Sequence, residues 1–538
     1  MGSNTICAGS GAGIAEPETY HIGSSPVHSF LVSNLPPSTD DQMNVTLKTL
    51  LELQKDLVDL DESISYMRVA LQRLLSKRSA LREYADAHKG LVSPLRRLPR
   101  EILSEIFYHT LPAFPFKLFK DQSPLVLEHV CKQWWDVSRS TPALWSHISL
   151  DLSKSNVSRH IQYAATCLAR SGECPLSISL GSGHRSHSVP SQHPVLAMLT
   201  SHSECWHTLH LKLPSELIRE LSVVKGRLPM LRDLHIFVLD SDWNDHIPPF
   251  DAFASAPKLR HFNASSKMLR DIAINGAIVI SWKDLTSLVL DERGCGDIWR
   301  ILQYCTRLVE IEATFSINAG TEDYTLRLPQ LKLMHLRSLS LSLPESSSSL
   351  STLTLPALEQ AAFRFTTEFQ GALDRSQFWH VRSGFDVLLS QSSCTLLKLS
   401  LHDKGNILTH GDLFGCLEAV PSLIELDLSA NLSIQLLRGL EDRKSTETAA
   451  HETFLPRLRK MALFQPPDHL SWELLWEFLK SRREGEDHIE MLQSLKLTSG
   501  NHGWAECTQT RNLDRLRTLR AKGMDVEIVD RGGNVRWL

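Results

Sequence analysis

The sequence predicts an α/β repeat solenoid preceded by a small all-α module and a long heptad helix. Three observations lead there. Leucine supplies 87 of the 538 residues, far more than one domain core needs. Apolar residues keep a seven-residue period over residues 50–81. After residue 200 a short strand motif returns at intervals of 22 to 38 residues. So heavy a use of one residue in a chain of this length marks a repeated unit rather than several unrelated domains.

Composition narrows the function classes. A net charge of −4, with 22% charged and 42% hydrophobic residues, is that of an ordinary soluble protein. The near-neutral balance argues against a nucleic-acid backbone as the main partner, because neutralising phosphates needs an excess of Lys and Arg. No run of about 18 apolar residues appears, and residues 1–13 lack a basic stretch followed by an apolar one. The chain is therefore expected to be neither secreted nor membrane-spanning. Gly2 is followed by Ile6 where a myristoylation signal needs Ser or Thr. Ten cysteines without a CxxC pair form neither a disulfide framework nor a zinc motif, which fits a reducing cytoplasm or nucleus. There, the sequons at Asn44, Asn156, Asn263 and Asn431 are chance matches.

In chain order, residues 1–42 are rich in Gly, Ser, Pro and Thr without an apolar period, and are expected to be a disordered tail. Residues 43–90 follow as a heptad helix. Leu50, Leu57, Ile64 and Leu71 form one row, Leu53, Leu60, Met67, Leu74 and Leu81 the other, and Arg78 breaks the pattern. A 3.5-residue period buries a narrow seam against another helix. The seam fits self-association through residues 50–81 or packing of the helix on this chain's own next domain; a single sequence does not separate the two.

Residues 91–149 read as a helical module. Pro99 suits a helix start and Glu101 its positive end. Ile102, Leu103, Ile106 and Phe107 give the first helix an apolar face. Leu127, Val130, Cys131, Trp134 and Val137 do so for a second. About fifty residues with so small a core rarely fold well alone, so the module is expected to complete its core against something else.

Over residues 150–538 the unit Lxx(L/I/F/M/A)x(L/I/A/F) recurs twelve times, from Trp206/Leu209/Leu211 to Leu516/Leu519/Ala521. Its last two apolar residues, two apart, share one face of a strand. Stacked units build a core that no single unit buries. The intervals are those of a leucine-rich repeat. A Pro-x-Leu step opens many units, as in Ala256-Pro257-Lys258-Leu259 and Val420-Pro421-Ser422-Leu423, where proline ends the preceding segment and sets a turn.

The helical module resembles an F-box. The resemblance is carried by Leu98, Pro99, Glu101, Ile102, Leu103, Ile106 and Phe107, then Val130, Cys131, Lys132 and Trp134, then Thr141, Pro142, Leu144 and Trp145. It covers about a tenth of the chain. An F-box followed by leucine-rich repeats is a known family arrangement, and the heptad helix looks like that of expanded fungal F-box families. The resemblance implies a receptor subunit of a Skp–cullin–F-box ubiquitin ligase, with the F-box on the Skp adaptor and the repeats on a protein substrate. It implies that Leu98, Pro99, Ile102, Leu103, Ile106, Phe107, Val130, Cys131 and Trp134 form the adaptor contact and its support, closed by Leu144 and Trp145. The link at residues 111–123 is longer and more aromatic than the usual F-box link.

No catalytic constellation accompanies this. No local sequence marks a nucleophilic cysteine, and the glycines of residues 9–13 lack the strand before and the GK[ST] after that a phosphate loop needs. His202-x-x-Cys205-x-His207 matches no metal spacing. Neither cofactor nor metal is expected, and the chain reads as a non-catalytic receptor. If residues i and i+2 of each strand point inward, those after them face the open, concave side. That exposes His210, Lys212, His235, Phe237, Asp291, Glu312, Arg364, His402, Asp427, Phe464 and Lys496, with Arg520 and Lys522 as the one basic focus. Mixed signs suit a protein partner.

Overall fold

The computed structural model describes residues 24–33, 36–92, 94–111, 124–152, 156–182, 193–239, 250–264, 278–293, 295–315, 329–344, 349–366, 381–403, 408–429, 432, 435–436, 454–464, 475–476, 478–480, 482, 490–498, 510–529 and 535–536. The chain divides into two compact units, residues 1–99 and 100–538.

The first unit holds helix α1 (His28–Ser33) and helix α2 (Asp40–Val92). Helix α1 stands inside the stretch expected to lack structure. Helix α2 runs unbroken for 53 residues, three residues earlier and two later than the heptads alone suggest. Thr39 precedes it, and its hydroxyl accepts from the Gln42 amide at 3.3 Å, satisfying one of the donors a helix start leaves open.

The second unit opens with helices α3 (Arg100–Thr110), α4 (Pro124–Leu127) and α5 (Lys132–Arg139). The expected second helix is thus two pieces. Cys131 has an extended backbone, φ −162° and ψ 169°, immediately before α5, so it does not sit on a helical face as the spacing suggested. The link between α3 and α4, residues 112–123, lies outside the described residues.

A long parallel sheet follows, with its strands in chain order and helices between several of them. The strands are β1 (His147–Asp151), β2 (Leu176–Gly181), β3 (Trp206–Leu213), β4 (Asp233–Val238), β5 (His261–Ala264), β6 (Ser287–Arg293), β7 (Glu310–Phe315), β8 (Leu331–Lys332), β9 (Ser338–Pro344), β10 (Leu353–Thr354), β11 (Gln360–Thr366), β12 (Lys398–Asp403), β13 (Glu425–Leu428), β14 (Lys460–Phe464), β15 (Ser494–Thr498), β16 (Asp525–Val529) and β17 (Val535–Arg536). Strands β8 and β10 pair separately. The other 15 form one sheet among the described residues, all parallel except the last pair, β16 with β17. This architecture is compatible with a repeat solenoid.

Register explains the leucine excess. One unbroken row of Cα partners runs Ile148, Ile178, Leu209, Leu234, Phe262, Leu288, Ile311, Leu339, Ala361, Leu399, Leu426, Met461, Leu495 and Val526. A second row, two residues on, runs from Leu150 to Ile528, and every member of both rows is buried. The leading leucines are buried as well: Leu231, Leu259, Leu285, Leu423 and Leu458 are fully enclosed. The Pro-x-Leu steps are β-turns with proline second. The amides of Leu259, Leu358, Leu423 and Leu458 each donate to the carbonyl three residues back, that of Ala256, Leu355, Val420 and Leu455 respectively, at 3.2 Å. Proline's fixed φ suits that corner.

The ladder differs from the expected one at both ends. It begins at residue 147, inside the stretch assigned to the helical module, because Trp145, Ile148 and Leu150 already make one unit. Strand β2 was missed because Pro175 stands where the leading leucine should be, and β16 because Gly523 does. Residues 516–521 are not a strand. They belong to a helix, Thr510–Ala521, in which Leu516 and Leu519 are buried one turn apart and Ala521 is exposed. Arg520 therefore lies in the last turn of that helix, with Lys522 just beyond it, and neither occupies the sheet face.

Candidate protein-binding surfaces

Helix α3 separates its apolar residues into two rows. Leu103 and Phe107 are four apart and fully buried, while Ile102 and Ile106, one step around the helix, are 49% and 40% exposed. Phe107 packs against Trp134 on α5 with ring centroids 4.7 Å apart. Leu144 and Trp145 are also enclosed, and the Trp145 indole N–H donates to the Ser138 carbonyl at 2.8 Å, so burying this side chain leaves no donor unpaired. Of the residues the F-box resemblance singles out, Leu103, Phe107, Leu144 and Trp145 are thus internal support. Ile102, Ile106 and Val130 are exposed, and Cys131 and Trp134 are half-buried. Leu98 is half-buried and Pro99 exposed, both in the first unit. Seven large apolar side chains of α3–α5 and the turn before α5 stay at least 36% exposed.

The module is also built onto the first repeats. Arg170, on the helix Val157–Ser171, lies over the Trp145 ring at 4.2 Å and donates to Glu128 at 2.6 Å. Their side chains are only 19% and 13% exposed, which makes this one of the few strongly shielded ion pairs among the described residues.

The second surface is the sheet face opposite the buried rows. His210 on β3 and His235 on β4 are register partners and stack at 3.8 Å. Burial, and then the neighbouring His235, pull the His210 imidazole down to about 4; burial lowers His235 too. Two residues on in each strand, the Lys212 ammonium lies 5.1 Å from the centroid of the Phe237 ring. Glu312 and Arg364 reach across β9 to form an ion pair at 3.3 Å. Asp427 and Lys496 share this face, with burial raising the Asp427 carboxyl and Lys496 paired to Glu527 at 3.5 Å. His402 is half-buried at the end of β12. The side chains of Asp291 and Phe464, at strand positions in β6 and β14, lie outside the described residues.

A third row on the same face escaped the sequence reading, which counted only residues after the first inward position. Residues one step before it are outward too. In β4, Asp233 accepts from Thr208 at 3.0 Å and pairs with His261 on β5, and His207 lies 3.8 Å away. Farther along, Glu425 lies between Lys398 at 3.2 Å and Lys460 at 2.6 Å; the Lys460 hydrogen bond holds the Glu425 carboxyl below the usual range. The alternation of polar and apolar residues marks these positions as outward. Their partners follow only from the strand order.

Among the described residues no group of three His, Cys, Asp or Glu side chains is placed to hold a metal ion. Burial pushes the Cys167 and Cys305 thiols up to about 12, so neither supplies a thiolate at neutral pH. No helix among the described residues is long and apolar enough to cross a membrane. Comparison with known proteins finds no matching family model and no matching curated relative.

Proposed function

We propose that this chain is the non-catalytic substrate receptor of a Skp–cullin–F-box ubiquitin ligase in the cytoplasm or nucleus. In it the α3–α5 module docks on a Skp-type adaptor, and through that on a cullin, while a leucine-rich-repeat solenoid presents its open sheet face to a protein substrate. One observation carries the reading: the residues at F-box positions divide into a packed set, Leu103, Phe107, Leu144 and Trp145, and an exposed apolar set, Ile102, Ile106 and Val130. A free-standing helical cap has no use for the exposed set, whereas an adaptor would bury it. The mixed-charge sheet face, with its His210–His235 stack and Lys398–Glu425–Lys460 ladder, suits a polar protein surface better than a polyanion.

A second function is favoured by a specific observation. The Arg170 contacts to Trp145 and Glu128 fasten the module to the first repeats, as in a repeat scaffold whose helices merely cap the end of the ladder. Co-purification of the full chain with a Skp-type adaptor and cullin separates the two. A stoichiometric complex is expected; a wild-type chain that binds no adaptor leaves the scaffold.

A further inference from the structure

The 53 residues of α2 form one continuous helix about 80 Å long at 1.5 Å per residue, and none of them is buried. Both heptad rows lie open: from Leu50 to Leu81 their members are 41% to 65% exposed. So long a stripe needs a covering helix, and the charges along α2 specify which one. Residues 40–62 carry seven carboxylates and two ammonium groups; residues 68–89 carry six cationic side chains and two carboxylates. The helix is acidic in its first half and basic in its second.

We propose that α2 pairs with α2 of a second copy of this chain in the antiparallel direction. The heptad rows support it over residues 50–81, and the register they set overlaps the two helices over residues 40–91. Placing Leu50 opposite Leu81 of the partner subunit also places Leu57 opposite the partner's Leu74, Leu60 opposite the partner's Leu71, and Ile64 opposite the partner's Met67. The centre of this overlap falls between residues 65 and 66, the middle of α2. The positions flanking the seam decide direction. In the antiparallel pair Asp61 meets the partner's Arg68 and Asp56 meets the partner's Lys77, and symmetry repeats each contact. A parallel pair would instead set Asp56 against the partner's Asp61 and Lys77 against the partner's Arg82, all like charges. Arg78, the one break in the seam, would face its own copy in a parallel pair. In the antiparallel pair it faces the partner's Leu53, one turn from the partner's Asp56. Asp56, Asp61, Arg68 and Lys77 are exposed in the single chain.

Sedimentation equilibrium of the full chain tests this, with circular dichroism to check helicity. The wild type is a dimer. Asp56→Lys with Asp61→Lys reverses four attractive contacts and weakens association about tenfold or more; in a parallel pair it exchanges one repulsion for another and changes little. Adding Arg68→Glu and Lys77→Glu to the same chain restores opposite charges at all four antiparallel contacts, returning the dissociation constant to within about threefold of wild type, whereas a parallel pair keeps like charges between positions 56 and 61. Recovery in the fourfold variant also excludes misfolding as the cause of the first loss. A monomeric wild type, unchanged association of the first variant, or no recovery in the fourfold variant each overturns the proposal.

Discussion

Replacing both Ile102 and Ile106 with alanine separates docking from folding. Fully burying an isoleucine side chain is worth about 1.5–3 kcal/mol. These two are 49% and 40% exposed, so each has roughly half of that, about 1 kcal/mol, left to gain against a partner. Together they account for ~2 kcal/mol of adaptor affinity, about 30-fold in Kd. In the free chain, the cost of removing them is under about 1 kcal/mol, because alanine is a good helix former and the lost surface was half wet already. The neighbouring row behaves in the opposite way. Leu103, fully buried, leaves a cavity when cut to alanine and costs about 2–5 kcal/mol of stability. Isothermal titration with a Skp-type adaptor, alongside urea denaturation, reads both quantities. An Ile102→Ala/Ile106→Ala chain that unfolds like wild type and binds adaptor with unchanged Kd would refute the docking assignment. Equal loss of stability in both variants would refute the division into exposed and packed rows.

Arg170→Met removes the guanidinium from Trp145 and leaves Glu128 shielded and unpaired, and should cost ~2–3 kcal/mol in a thermal melt; a cost near zero means the module is not held there. Leu426→Ala, at a fully buried ladder position, should lower urea-measured stability by about 2–5 kcal/mol, with the loss felt first in the repeats either side. Acid should destabilise the sheet through His210. Its imidazole is pulled from its ordinary value of 6.5 down to about 4, so between those pH values the unfolded chain binds the proton and the folded one does not. Stability is then fully present above about 6.5 and is lost progressively as pH falls toward 4. Because the imidazole is only half-buried, the effect is ~1–2 kcal/mol rather than the full shift. His210→Asn should flatten that part of the stability-versus-pH curve, and a curve unchanged by the substitution would remove His210 as the cause.

Eleven of the twelve strand units read from the sequence are strands, because a leading leucine and two inward residues at a spacing of two are a local signal. The exceptions are physical. Pro175 and Gly523 replace the leading leucine before β2 and β16, and the turn forms without it. Leu516 and Leu519, three apart, satisfy a helix and the strand motif equally well; the backbone of residues 510–521 takes the helix. Cys131 fitted a helical face by spacing but is extended, since the chain turns at residues 128–130 to start α5. The row holding Asp233 and Glu425, one residue before the first inward position, is marked as outward by alternation alone; only its pairings, made between residues 25 to 35 apart in the chain, depend on the strand order.

By itself, the sequence determined the periods: a heptad in α2, a strand motif about every 22–38 residues, and a short helical stretch between with F-box-like residues. Periods are local, since they follow from 3.6 residues per helical turn and two per strand pleat. Only the tertiary structure decided which residues of the helical stretch are packed and which stay open, where the ladder starts and stops, and which outward side chains meet. Those depend on what the neighbouring strand or helix brings to the same place, and in a parallel sheet that neighbour lies a whole repeat away along the chain.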